Sequence, residues 1–140
     1  FDAKRRFYRY QIYNGESLLY KNQAWLKKHI DIKKLNAISK IILGKHDFLS
    51  FSKFRHNQLN TECEIYTSEW VSNEKMTVYN IVGNRFLHHM VRYLVGTIIK
   101  VAEGLYNIEK FKSLLNEPRK NVQIHKAPPN GLILARVDYE

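Results

Sequence analysis

The segment NRFLHHMVRYLVGTIIKVAEG, from Asn84 to Gly104, contains the clearest structural pattern in the chain. Its apolar residues occur as adjacent pairs that repeat every fourth position, and this spacing places them along one side of an α-helix. The pattern therefore predicts a central helix from about Asn84 to Glu103, with Gly104 at its end. The apolar pairs are Phe86/Leu87, Met90/Val91, Leu94/Val95 and Ile98/Ile99.

Arg92 lies at the edge of this apolar stripe, near Val95 and Ile99 on an ideal helix. A guanidinium held beside apolar neighbours keeps its charge and presents a rigid fork that suits one carboxylate or phosphate. The alternative is that Arg92 simply extends along the helix surface into water.

The same helical projection places Arg85, His88 and His89 on the polar side. Adjacent helical positions diverge by about 100°, so His88 and His89 are not expected to chelate one metal ion, and the usual partner four residues away is missing. We therefore predict no zinc site.

The chain begins with a strand-like segment from about Arg5 to Tyr13, which ends at the turn dipeptide Asn14-Gly15. In this segment Tyr8 and Tyr10 alternate with basic residues, a composition in which aromatic rings stack bases and cations hold phosphates. Aromatic side chains in strands are also common core residues, so both interpretations remain open. The neighbouring basic residues are Lys4, Arg5, Arg6 and Arg9.

The remaining pattern predicts an α+β fold with helices packed on one face of an antiparallel sheet, in one domain covering residues 1–140. The opposite face of the sheet is expected to be open to a polyanion. The predicted elements are a second strand near Leu18–Trp25, a helix from Asp31 to Gly44, a loop over His46–Phe51, a hairpin of Ile65–Val71 and Met76–Val82, a helix between Asn107 and Pro118, a turn at Pro128–Gly131 and a strand over Leu132–Tyr139.

The composition favours a polyanionic partner, because 23 Lys and Arg against 13 Asp and Glu give a formal net charge of +10 among 140 residues. Charge alone does not separate RNA from DNA or an acidic membrane. The single cysteine, Cys63, excludes an internal disulfide framework, and no apolar run approaches the ~20 residues of a membrane span. A soluble, cytoplasmic protein is the expectation.

Several strings in this sequence closely resemble the tRNA pseudouridine synthase A family, and they span nearly the whole chain. The most specific is Asn84–Arg92 followed by Leu94-Val95-Gly96, which resembles the family's "FLHHMVR..VG" helix. The supporting strings occur in the family's order, at Arg6–Tyr10, Gly44–Phe51 and Lys126–Leu134. Tyr93, Ala102 and Ile133 depart from the family pattern without removing a role given below.

This resemblance implies half of a pseudouridine synthase fold and a cofactor-free isomerisation of uridine to pseudouridine in the anticodon stem-loop of tRNA. It also implies that Arg92 is catalytic through pairing with a nucleophilic aspartate, that Tyr8 stacks on the target base and that Leu132 lines the base pocket. The family's aspartate belongs to a Gly-Arg-Thr-Asp-type motif, which this sequence lacks. The chain is therefore expected to be a C-terminal half, inactive by itself, whose partners are tRNA, a missing N-terminal half and a second copy in a homodimer.

Phosphate contacts are expected from basic residues around the implied pocket. The alternative function is a stand-alone basic RNA-binding module derived from this fold, without catalysis. The candidate phosphate contacts are Arg5, Arg6, Arg9, Arg85, His88 and His89.

Overall fold

The structure, a computed structural model, describes residues 3–14, 31–53 and 60–139. In these ranges five strands form one antiparallel sheet in the order β2-β3-β4-β1-β5. The strands are β1 (Ala3–Tyr13), β2 (Gly44–Asp47), β3 (Glu62–Ser72), β4 (Met76–Gly83) and β5 (Leu132–Tyr139).

Three helices accompany the sheet: α1 (Ile32–Ser39), α2 (Met90–Ala102) and α3 (Ile108–Asn116). The N-caps predicted for the two shorter helices are confirmed, but the predicted end of α1 at Gly44 is wrong, because α1 ends at Ser39 and Gly44 begins β2. The side chain of Asp31 accepts hydrogen bonds from the first turn of α1, and the side chain of Asn107 does the same for α3. Gly104 ends α2 with a φ of +77°, a left-handed conformation that suits glycine.

The α+β architecture, the first strand, the hairpin and the final strand are confirmed. In β1 the side chains of Tyr10 and Ile12 are buried, whereas Arg9, on the other face, is exposed. This alternation shows that the helices cover one face of the sheet. The expectation that a polyanion lies on the open face stays a prediction.

The predicted start of the central helix is wrong by six residues, because α2 begins at Met90 instead of Asn84. Asn84 is bound to β3 instead: its amide donates to the Glu64 carbonyl over 3.0 Å, and its side-chain oxygen accepts from the Glu64 amide over 2.8 Å. His89, immediately before the helix, has a left-handed φ of 62°. The apolar stripe from Met90 to Ile99 is buried as predicted.

The predicted loop over His46–Phe51 is also partly wrong. Gly44–Asp47 forms the edge strand β2, which pairs with β3, and Leu49–Phe51 forms a short 3₁₀ helix. The second strand expected near Leu18–Trp25 lies outside the described residues.

The buried core lies between the sheet and the helices, and its largest members are aromatic. Tyr10 and Tyr79 occupy adjacent strands, while Phe51 and Phe111 connect the 3₁₀ helix with α3 at a centroid distance of 5.7 Å. The indole nitrogen of Trp70 donates a hydrogen bond of 2.7 Å to Ser39 at the end of α1. These contacts fix α1 against the sheet and α3 against the 3₁₀ helix, and the start of α2 faces a cavity.

Candidate active site and RNA interface

A cavity of about 400 Å³ opens between the start of α2, the middle of β1 and the first residue of β5. Two of the residues predicted to contact the base, Tyr8 and Leu132, line it together. The cavity lies on the helix-covered side of the sheet, because Tyr8 shares a face with the buried residue Tyr10 and Leu132 pairs with Tyr10 across the strands. Its other walls are Phe86, Leu87, His88, His89, Met90 and Val91.

Tyr8 contributes the aromatic surface of this cavity. Its ring meets the ring of Phe86 edge to face at a centroid distance of 4.9 Å, an arrangement that fixes the ring plane. Tyr8 and Leu132 are both half-buried, so their side chains are supported by the core and still reach the cavity. The arrangement suits a flat, partly apolar ligand such as a nucleobase.

Arg92 directly follows the cavity residues Met90 and Val91 and is half-buried. Its Nε donates a hydrogen bond of 2.8 Å to the carbonyl of Ala127, and the amide of Ala127 donates one of 3.0 Å to the Arg92 carbonyl. These two bonds orient the guanidinium through its Nε. The terminal nitrogens make no hydrogen bond to another residue within the described ranges, and so they are available to a ligand.

Gly96 allows the chain segment around Ala127 to lie against α2. A Cβ at Gly96 would lie 2.4 Å from the carbonyl oxygen of His125 and 2.9 Å from the amide nitrogen of Ala127. Only a glycine permits this approach, so the fixed position of Arg92 depends on Gly96, one helical turn further on.

The predicted phosphate contacts are dispersed around the molecule. Arg6 is half-buried on the face of Tyr8, whereas Arg9 is exposed on the opposite face. The guanidinium of Arg5 lies 4.9 Å from the centroid of the Tyr66 ring. Arg85 donates hydrogen bonds of 2.8 and 3.0 Å to the carbonyls of Asn60 and Glu62, so it holds the segment before α2 against β3.

His88 and His89 both line the cavity, and their rings stack at a centroid distance of 3.9 Å. Because these residues precede α2, the prediction that they diverge on a helix is wrong. The burial of His89 and the charges of its basic neighbours lower the pKa of His89 to about 4, so its imidazole is neutral at pH 7. A search of the described residues found no group of three His, Cys, Asp or Glu side chains that could hold a metal ion.

Three aspartates lie in the described ranges, and each has a structural partner. Asp31 caps α1, and Asp47 accepts hydrogen bonds from the Thr61 hydroxyl and the Leu49 amide. Asp138 is paired with Arg136 over 2.7 Å. None of these carboxylates is hydrogen-bonded to Arg92.

The sequence prediction assigned no role to three residues that shape the site, namely Phe86, Gly96 and Lys126. Lys126 places its amine 3.4 Å from Nδ1 of His89 and 5.4 Å from the centroid of the Tyr93 ring. All three residues belong to the strings that carry the family resemblance, and this was the feature of the sequence that could have pointed to them.

Comparison with known proteins agrees with this geometry. The profile of a family described as tRNA pseudouridine synthase matches residues 38–140. The chain belongs to this family. Among curated relatives, tRNA pseudouridine synthase A of Borrelia turicatae is 33% identical over 147 aligned residues, covering 100% of this chain and 58% of the relative.

Two further synthases of this name give the same result. The protein of Dictyoglomus thermophilum is 34% identical over 142 residues, covering 99% of this chain and 58% of its own length. The protein of Borreliella burgdorferi is 31% identical over 144 residues, covering 100% of this chain and 58% of its own length. The chain thus spans about 58% of the length of these synthases, and the matched parts include Tyr8, Arg92 and Leu132. No helix in the described ranges is long and apolar enough to cross a bilayer.

Proposed function

We propose that the full-length protein isomerises uridine to pseudouridine in the anticodon stem-loop of tRNA, and that this chain supplies the base pocket and the catalytic arginine. The observation that carries this proposal is the cavity that Tyr8 and Leu132 line together, with the guanidinium of Arg92, the next residue in the chain after the wall residue Val91, oriented by Ala127. Membership of the pseudouridine synthase family supports the same reaction class.

The reaction breaks the N-glycosidic bond of uridine, turns the base and joins the sugar to C5. The proton on C5 is lost and N1 becomes protonated, so that product and substrate are isomers and no cofactor is consumed. A uridine in a stem must leave its stack to be reached. In our proposal Tyr8 stacks on the extruded base and Leu132 packs against its edge.

The nucleophilic carboxylate is proposed to come from a segment outside these 140 residues. The described aspartates support this assignment, because Asp31, Asp47 and Asp138 are each bound elsewhere. Arg92 pairs with the external carboxylate through its terminal nitrogens, orients it and keeps it ionised. This chain by itself is then inactive.

The net charge of +10 supports RNA binding by the predicted contacts Arg5, Arg6, Arg9, Arg85, His88 and His89, although Arg9 lies on the face of the sheet opposite the pocket. Of these, Arg85 is already engaged with the backbone near β3, so Arg6 and the two histidines are the stronger candidates. A cytoplasmic homodimer, which the family resemblance implies, completes the proposal.

The test is to incubate the purified full-length protein with an unmodified tRNA transcript and to map pseudouridine by carbodiimide modification and primer extension. A transcript whose anticodon-stem uridines are replaced by cytidine is the control. We expect pseudouridine in the anticodon stem-loop of the first transcript. Tight binding of the transcript without pseudouridine would instead establish the RNA-binding module.

A further inference from the structure

Positively charged and titratable side chains gather on one side of the base cavity. His88 and His89 come from the turn before α2, Arg92 comes from its first turns, and Lys126 comes from the segment that crosses α2. The main chain of Lys53 is tied to the same turn, since its amide donates a hydrogen bond of 3.1 Å to the carbonyl of His88, and the charge of its exposed side chain is among those that act on His89. Three separate parts of the chain therefore deliver cations to one place.

His89 is at the centre of this cluster. The amine of Lys126 lies 3.4 Å from Nδ1 of His89, and the ring of His88 covers the His89 ring at 3.9 Å. An ammonium group has only protons to donate, so Nδ1 of His89 must be an unprotonated acceptor. Protonating Nδ1 would remove this hydrogen bond and place two cations side by side.

The electrostatics of His89 reflect this crowding. Burial lowers its pKa most, followed by the charges of His88, Lys126, Arg92 and Lys53, and the result is a pKa of about 4. All four of the charged groups that act on His89 are basic. A cluster of like charges beside a cavity is a favourable place for an anion.

The backbone at His89 is also unusual. Its φ of 62° is a left-handed conformation that costs a residue with a Cβ on the order of 1 kcal/mol. This conformation directs the imidazole into the cavity wall beside Lys126. Backbone strain of this kind is often found where a side chain is held for a ligand.

We propose that Lys53, His89 and Lys126 form a subsite for one backbone phosphate of the RNA, beside the base cavity, and that binding of this phosphate is coupled to protonation of His89. The inference rests on the proposed function, since it takes the flanking phosphate to belong to the nucleotide chain whose base enters the cavity. The phosphodiester supplies the negative charge that the cluster lacks.

Phosphate binding and protonation of His89 are coupled because an anion raises the pKa of His89, whereas the neighbouring cations lower it. An opposite charge within hydrogen-bond reach raises the pKa of a histidine by about 1–3 units. If the phosphate raises the pKa of His89 by about two units, the phosphate binds roughly fourfold more tightly at about pH 5.5 than at about pH 7.5. An RNA contact made only by lysine and arginine has no such dependence.

The direct test is to follow the imidazole signals of His89 by NMR in the full-length protein, first free, then with an anticodon stem-loop RNA, and separately with inorganic phosphate. The His89→Asn variant assigns the signals, because asparagine tolerates the left-handed backbone. We expect an upward shift in the titration midpoint of His89 with the RNA and a smaller shift with inorganic phosphate. An unchanged midpoint in the RNA complex would overturn the subsite.

A second measurement uses Lys126→Gln, with Lys75→Gln as the matched control in the exposed turn between β3 and β4. Removing a phosphate contact lowers the slope of log affinity against log salt by about one. We expect this loss for Lys126→Gln only, together with a higher titration midpoint of His89 in its free state. Equal slopes in the two variants would contradict the subsite.

These results are separable from the proposed function. Pseudouridine formation with an unresponsive His89 would leave the isomerase proposal standing and overturn the subsite alone. Failure to form pseudouridine together with a phosphate-responsive His89 would overturn the isomerase and keep an anion site at this cluster.

Discussion

Arg92 is held by Ala127 through both its main chain and its side chain, so the direction of its guanidinium is fixed before any ligand arrives. A preoriented fork loses little conformational entropy when it binds a carboxylate. Tyr8 is prepared in a similar way by its edge contact with Phe86. At the scale of single residues, Arg92 and Tyr8 are therefore both oriented by neighbouring residues of this chain.

The aromatic ring of Tyr8, more than its hydroxyl, is expected to support activity. Stacking on a base contributes about 1–3 kcal/mol, so Tyr8→Ala should lower pseudouridine formation by about 10-fold to 100-fold, whereas Tyr8→Phe should stay within about threefold of wild type. Initial rates on a tRNA transcript measure both. Tyr139→Ala, which removes an exposed ring at the end of β5, is the control. An equal loss in the two Tyr8 variants would show that the hydroxyl is required.

The stability of the protein is expected to fall in mild acid because of His89. Its pKa is about 4 in the folded protein and about 6.5 in an unfolded chain, so the unfolded chain takes up this proton first as the pH falls. The stability that neutral His89 contributes is therefore fully present above about pH 6.5 and is progressively lost as the pH falls toward 4. Urea unfolding at about pH 7.5 and about pH 5 should show a smaller decrease for His89→Asn than for wild type. Parallel decreases would argue that His89 is not the group responsible.

At the scale of elements, α2 brings the site together and also shows where sequence reasoning was insufficient. Its buried stripe was predictable because apolar pairs repeat every fourth residue. Its start was not, since Phe86 and Leu87 continue the same repeat while packing from a loop whose first residue, Asn84, is bound to β3. Periodicity records which residues are buried, and a buried loop satisfies it as well as a helix does.

The edge strand β2 was missed for a related reason. Gly44–Asp47 is short and polar and has no apolar alternation, so only its pairing with β3 makes it a strand. The meeting of Tyr8 and Leu132 in one cavity depends similarly on tertiary pairing, and the family resemblance implied their roles without giving their geometry. The contribution of Lys126 to the cluster required the structure, because its partner His89 is distant in the sequence.

Gly96→Ala should destabilise the protein, although alanine normally favours a helix over glycine by up to about 1 kcal/mol. The new Cβ would meet backbone atoms of His125 and Ala127 at 2.4 and 2.9 Å, and backbone atoms cannot rotate away. We expect a loss of about 1–3 kcal/mol in the free energy of unfolding. Urea unfolding measures it, with Lys110→Ala on the exposed side of α3 as the control. A stabilised Gly96→Ala variant would refute the close packing of this segment.

At the scale of the whole molecule, a chain with a net charge of +10 contains a cavity lined by apolar and aromatic groups and two histidines. In our proposal the charge attracts the RNA without selecting a base, and the cavity selects the base through stacking and apolar contact. The chain matches about 58% of the length of synthases in its family, and our proposal assigns the bond-breaking carboxylate to the remainder. In this proposal the function is divided between the base pocket of this chain and a nucleophile from the rest of the protein.

Binding of tRNA should depend steeply on salt because cations on the protein displace counterions from the phosphate backbone. We expect the affinity of the full-length protein for a tRNA transcript to fall at least about 10-fold between roughly 50 and 200 mM potassium chloride. Filter binding or fluorescence anisotropy measures this change. Affinity that is indifferent to salt would contradict a basic binding surface.

The acid limb of the pH-rate profile provides a specific signature of the proposed pairing between Arg92 and the carboxylate. Arg92→Gln removes the charge that keeps the carboxylate ionised. The pKa of the carboxyl group therefore rises, and the midpoint of the acid limb should lie about 1–3 pH units higher than in the wild-type protein. A defect limited to folding would lower the rate at every pH without moving this limb. Rates on a tRNA transcript across the pH range distinguish the two outcomes.

The most direct measurement compares pseudouridine formation and tRNA affinity for the full-length wild-type protein and its Arg92→Lys variant, with the exposed Arg119→Lys as the matched control. Lysine keeps the charge but loses the hydrogen bond of Nε to Ala127 and the fork that pairs with a carboxylate. The account predicts that Arg92→Lys lowers the rate by at least about 100-fold while tRNA affinity stays within about threefold. A normal rate of pseudouridine formation by Arg92→Lys would contradict it.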